Sequence, residues 1–189
     1  MGTAGSPPNG SGLAGKLLAA PPALADPNFA GAVVLVLLHN DDGAFGLVLN
    51  DPTSLDIGSL VPQWQSAADA TILRGGPVES AALIALASVL PGVELESGGY
   101  TPVAGGLALV HLGLDPSPLL ERVRIFVGYS GWAPHQLDDE VDAGGWLVVD
   151  AHPDDPFANE PHDLWGRVLR RQHGHVPLYS RFPDDPEYN

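Results

Sequence analysis

Ala32-Val33-Val34-Leu35-Val36-Leu37-Leu38 is an apolar run unbroken by any polar side chain and rich in β-branched residues. A run of strand length with no polar alternation predicts a strand buried on both faces. His39-Asn40-Asp41-Asp42-Gly43 follows directly. Asn, Asp and Gly tolerate positive φ and hydrogen-bond their own backbone, so this pentapeptide reads as a turn into a second strand over 44–49. The expected unit is a β-hairpin.

The remaining elements are short, in keeping with 19 prolines and 23 glycines. Order is expected from about Gly15-Lys16-Leu17-Leu18. A strand over 71–73 should break at Gly75-Gly76-Pro77, and 106–112 offers another strand. The apolar stretch 81–90 is either a strand or a buried helix, since periodicity does not separate the two. Asp115-Pro116-Ser117-Pro118 predicts a helix start and a short helix over 118–122, because proline suits a first turn. Strands follow at 123–127 and 146–149. Leu164, Val168 and Leu169 fall on one helical face after Pro161-His162-Asp163, with Gly174 as the stop. The five Asp-Pro pairs are irregularly spaced and read as turns. With 189 residues, no internal repeat and no linker, the chain suits one domain over 15–178. Residues 1–14 are a disordered lead-in and 179–189 a surface tail.

Charge removes the first functional class. Twenty-three acids against eight Lys plus Arg leave a formal charge of -15, whereas proteins that hold phosphate backbones do so mainly with Lys and Arg. Direct nucleic-acid binding is not expected, and Arg170-Arg171 is the one basic cluster. The absence of cysteine removes thiol nucleophiles, disulfides and Cys-ligated metals. MGTAGSPPNGSG has neither the basic nor the apolar region of a signal peptide. The longest apolar run is far below the roughly 20 residues that span a bilayer. A cytoplasmic protein without membrane contact is the expectation.

The stretch GYSGWAPHQLDDE, residues 128 to 140, is the densest in chemically capable side chains. Its Gly128-Tyr129-Ser130-Gly131-Trp132 misses the G-x-S-x-G elbow by one position, so Ser130 is better read as a strand-end or helix-capping serine than as a nucleophile. Asp138, Asp139 and Glu140 read as a solvated helix face. The local pairs His173-x-His175 and His152-x-Asp154-Asp155 match no metal signature. Gly75-Gly76-Pro77 lacks the later glycine and lysine of a phosphate loop. No metal and no cofactor is expected. Gly128 and Gly131 permit a tight strand exit, Pro134 suits a helix start, and Gly144-Gly145 ends the helix. Trp132 anchors this corner, with Gln136 and Glu140 sharing a face.

HNDDGAFGLVLNDP (39–52), GGPV (75–78), GYSGWAPHQLDDE (128–140), GWLVVDA (145–151) and LWGRVLRR (164–171), in that order, resemble the YqgE/AlgH family of bacterial proteins. The likeness spans roughly residues 15 to 175. It implies an α/β (α+β) fold, a single domain whose mixed, strongly bent β-sheet forms a pseudo-barrel flanked by helices. It implies no established activity. Members carry the label of transcriptional regulators, which the charge and the lack of a helix-turn-helix pattern oppose here. Members usually show glycine where this chain has His135, Arg-Pro where it has Asp51-Pro52, and proline where it has Asp150. The favoured reading is a non-catalytic binding or interaction protein, including a regulatory role without DNA contact. Its groove would lie beside His39, Asn40, Trp132, Gln136 and Glu140 and receive a protein, peptide or small molecule. A hydrolase using His39, Asp138 or Glu140 as acid-base residues is the alternative, and a DNA-contacting regulator the second.

Overall fold

The computed structural model describes residues 12–24, 26–93 and 98–173. Most of the lead-in, the tail 179–189, Gly174 and His175 lie outside the described residues. Nine strands are seen: β1 (Lys16–Ala19), β2 (Val33–Asn40), β3 (Gly43–Val48), β4 (Leu73–Arg74), β5 (Val78–Val89), β6 (Tyr100–Val103), β7 (Leu107–Val110), β8 (Leu120–Trp132) and β9 (Leu147–Asp150). Three short helices join them: α1 (Ile57–Leu60), α2 (Gln136–Asp142) and α3 (Leu164–Arg170). The sheet order is β6-β7-β5-β8-β3-β2-β1-β9, with β4 beside β8. Only the β4–β8 pair is parallel among the strand pairs described, so the sheet is mixed by one pair. It curls into a half-barrel with a few helices, the single-domain α/β arrangement expected.

Burial explains why the valine-rich run seeds this sheet. From Val33 to Leu37 no residue is more than 2% exposed, and alternate side chains serve opposite layers. Val33, Leu35 and Leu37 pack with Leu17, Leu47, Phe126 and with Leu164, Val168 and Leu169 of α3. Val34 and Val36 pack with Leu18, Val48, Trp132, Leu137 of α2 and Trp146. A third cluster gathers around Trp64 and includes Ala85, Ile125 and Val127. Each fully buried aliphatic side chain contributes about 1.5–3 kcal/mol, so both faces must stay covered.

Several local expectations are corrected. The hairpin turn is Asp41-Asp42 alone, with Asn40 paired to Gly43, and the Asn40 side chain accepts the Asp42 N–H at 2.9 Å. His39 is therefore a strand residue. The ambiguous stretch 81–90 is strand β5, extended along β8 and β7. No helix forms over 118–122. The Ser117 hydroxyl accepts the Leu119 N–H, closing a turn, and Leu120 already pairs with Val89; a long strand ladder outweighs one isolated helical turn. Strand β6, not among the strands expected, contains Pro102 and is an edge strand, where a missing N–H is tolerated.

The largest correction concerns residues 128–132, which continue β8 instead of leaving the sheet. β8 pairs with β5 up to Tyr129 and with β3 from Ser130 to Trp132. It bends at Gly128, whose φ is 69°. Gly75 and Gly76 pass against this bend with no room to spare. A Cβ on Gly75 would sit 2.3 Å from the Gly128 oxygen, and one on Gly76 2.3 Å from the Tyr129 carbonyl. Gly75 N–H donates to the Val127 carbonyl, while its own oxygen accepts from Val48 N–H and from the buried Ser130 hydroxyl. Ser130 thus neither caps a helix nor faces solvent.

Gly76→Ala should destabilise the protein by about 3 kcal/mol or more, read as a lowered midpoint in urea denaturation. Gly12→Ala, whose added methyl meets nothing within 4 Å, should leave the midpoint nearly unchanged.

Candidate functional site

The end of β8 hands over to α2 through Ala133-Pro134-His135. His135 adopts a left-handed conformation, φ 64° and ψ -9°, and supplies no side-chain cap. Gln136 takes over part of that role, because its Oε1 accepts the Ala133 N–H at 3.0 Å. At the other end, Gly144 has φ 77°, and Gly144 and Gly145 donate to the Val141 and Glu140 carbonyls. That pair of bonds is a Schellman stop, which needs a left-handed residue and explains the double glycine. Leu137 is buried beneath the helix.

Glu140 is not a solvated face residue. Its Oε2 accepts both indole N–H groups, from Trp132 and Trp146, each at 2.9 Å. Its Oε1 accepts from the Gln136 amide at 2.8 Å. Three neutral donors therefore fix one carboxylate, and no Lys or Arg pairs with it among the described residues. The two indoles meet edge to face at 6.3 Å, and Phe29 lies against both at 6.5 and 5.3 Å. These rings and Glu140 wall a hollow of about 300 Å³, with Gln136 and Asp26 also in its lining. Its chemistry is an anionic, aromatic recess without a basic side chain.

The structure brings Trp132, Gln136 and Glu140 together but places His39 and Asn40 elsewhere. His39 lies under the opposite flank of α2, 6% exposed, with Nε2 3.5 Å from Asp138. Its Nδ1 is buried without a hydrogen-bond partner. Asn40 is exposed at the strand end and engaged in the hairpin turn. Neither lines the aromatic hollow. Of the five residues expected around one groove, the hollow is lined by Trp132, Gln136 and Glu140.

A larger hollow, about 690 Å³, lies on the opposite layer and was not anticipated from the sequence. Arg122, Arg167 and Arg171 line it. Arg171 grips the 5% exposed Asp155 through both guanidinium nitrogens. Arg122 bonds Asp154 at 2.6 Å and stacks over Phe157 at 4.6 Å. Beneath it, buried Arg124 bonds Asp69 at 2.8–2.9 Å and the Ala158 carbonyl at 3.2 Å. The one available signal was Arg122-x-Arg124 in a strand, a spacing that puts both cations on one face. Hydrogen bonding by Arg122 holds the Asp154 carboxyl below the usual carboxylate range. No group of three His, Cys, Asp or Glu side chains suited to a metal ion occurs among the described residues.

His135→Gly should raise stability by about 1 kcal/mol, since an L side chain in the left-handed region costs that much and glycine does not; thermal unfolding of both forms checks it. Arg122→Gln should move the Asp154 carboxyl titration upward toward its ordinary value, as followed by carbon-detected NMR.

Relatives share both the sequence and this architecture. The model of a family described as AlgH-like matches residues 17–177. A UPF0301 protein of Streptomyces coelicolor is 42% identical over 186 residues, covering 95% of this chain and 96% of that protein. A UPF0301 protein of Corynebacterium efficiens is 39% identical over 181 residues, covering 93% of this chain and 90% of its own length. The crystal structure of a Corynebacterium diphtheriae protein superposes with a TM-score of 0.84 at 32% identity, over 91% of this chain and 93% of that one. The solution structure of the AlgH protein of Pseudomonas aeruginosa gives 0.67 at 28% identity, over 96% and 98%. Sequence match and shared half-barrel together make this chain a member of the AlgH-like family.

Proposed function

We propose that the protein is a non-catalytic, cytoplasmic binding protein whose aromatic hollow receives a cationic group from a partner protein, peptide or small molecule. One observation carries this reading: the Glu140 carboxylate is held by Trp132, Trp146 and Gln136 at the wall of a ring-lined recess that offers it no basic partner. A carboxylate in apolar surroundings without a counter-ion favours entry of a cation, and aromatic faces add about 0.5–2 kcal/mol of attraction. The overall charge of -15 works in the same direction at long range. Since the three donors are already committed to Glu140, the carboxylate is fixed in place, which suits recognition more than proton transfer.

The hydrolytic alternative has weaker support. Ser130 is fully buried and donates to a backbone carbonyl, and His39 lies against Asp138 and does not line the hollow that holds Glu140. Regulation through direct DNA contact is opposed by the charge, so any regulatory role would run through partners.

Tetramethylammonium and methylguanidinium titrated into the protein, with tryptophan fluorescence as the readout, should bind in the millimolar range, while neutral tert-butanol should not. Glu140→Gln retains the indole hydrogen bonds but removes the charge, and should weaken both cations by about tenfold. Absence of saturable binding by either cation, or equal binding of the neutral alcohol, overturns the reading.

A further inference from the structure

We infer that the arginine-lined hollow between β8, the 152–159 turn and α3 is a second ligand site, taking the phosphate or carboxylate group of a small molecule. The inference does not rest on the aromatic hollow. The chain has only eight Lys and Arg, yet three arginines line this one depression and a fourth, Arg124, supports its floor. Stability accounts for two of the four. Arg124 with Asp69 and Arg171 with Asp155 are paired with one partner buried in each case, and losing one partner of such a pair costs several kcal/mol. It does not account for the other two.

Arg167 is exposed, and among the described residues its guanidinium makes one hydrogen bond, at 3.4 Å to the Glu160 carbonyl. No carboxylate lies within ion-pair distance of it among the described residues. Arg122 is paired, but with Asp154, whose side chain is 67% exposed on a turn. An ion pair of that exposure contributes about 0–1 kcal/mol and can be exchanged at little cost. The Arg122 guanidinium itself is held in place from elsewhere, by Phe157 beneath it and the Pro153 carbonyl at 3.3 Å. Asp154 therefore behaves as an internal stand-in for an incoming oxyanion. Displacing it opens Arg122, Arg167 and the rim of Arg171 to one ligand group. Guanidinium forks suit that group because they bind carboxylate and phosphate oxygens in pairs.

The volume, about 690 Å³, is of the size that holds small organic ligands. Asp69 and Glu160, also in the lining, can accept from hydroxyl or amino groups on the rest of such a molecule.

The test uses the full chain with inorganic phosphate and, separately, citrate, each followed by calorimetry and by amide NMR shifts around 152–171. Saturable binding of either probe is expected, phosphate alone assigning a phosphate ligand and citrate alone a carboxylate one. Arg167→Gln should weaken binding by about tenfold, and Asp154→Asn should tighten it by removing the competing carboxylate. Asp154 is exposed, so that variant stays folded and informative even if substitution at Arg167 does not. Glu140→Gln should leave binding unchanged. No saturable binding to wild type and Asp154→Asn overturns the proposal. So does binding indifferent to Arg167→Gln in a folded variant, or equally weakened by Glu140→Gln.

Discussion

The backbone contact between Gly75-Gly76 and the bend of β8 at Gly128 is the constraint on which the molecule is built. β8 is the strand shared by the two halves of the curled sheet, lying against β5 and β4 along one part and β3 along another. Where it changes partners, the chain entering β5 crosses it at backbone distance, and that distance excludes any Cβ at the crossing. The carbonyl of Gly75 then ties β3 and β8 together through Val48 N–H and the Ser130 hydroxyl. Trp132, two residues further on, is delivered to the layer where α2 closes over it.

From that geometry the charges sort into two environments. On the α2 layer Glu140 is set among rings with only neutral donors. On the α3 layer, arginines from β8 and α3 meet aspartates from the 152–159 turn. Arg122 and Arg124 precede the bend of β8 at Gly128 and Trp132 follows it, so one strand supplies residues to both depressions. The net charge of the chain conceals this division, because acids outnumber bases nearly three to one while the scarce bases are concentrated.

Much of the fold was legible. The 32–38 run, a hairpin turn within 39–43, the strand at 146–149 and a helix after Pro161-His162-Asp163 follow from local pattern. The errors share a cause. Residues 118–122 have a helix-start sequence but join a long ladder, and residues 128–132 have a glycine-rich exit pattern but stay in the sheet. In both, pairing with distant residues decided the state. In the candidate site, Trp132, Gln136 and Glu140 were identifiable because they stand four and eight apart across one strand-to-helix passage. Phe29 and Asp26, more than a hundred residues away, carried no signal linking them to Trp132, and neither did Asp154 to Arg122.

The sequence by itself determined the strands with two buried faces, the turns that need glycine or asparagine, and an acidic surface that disfavours phosphate backbones, because these depend on local sterics and on summed charge. Only the tertiary structure decided that Glu140 accepts from two indoles, that His39 lies against Asp138 and outside that hollow, and that three arginines line one hollow with a fourth beneath it. Those outcomes depend on which strands become neighbours, and long-range pairing is set by the burial of the whole sheet rather than by any segment of it.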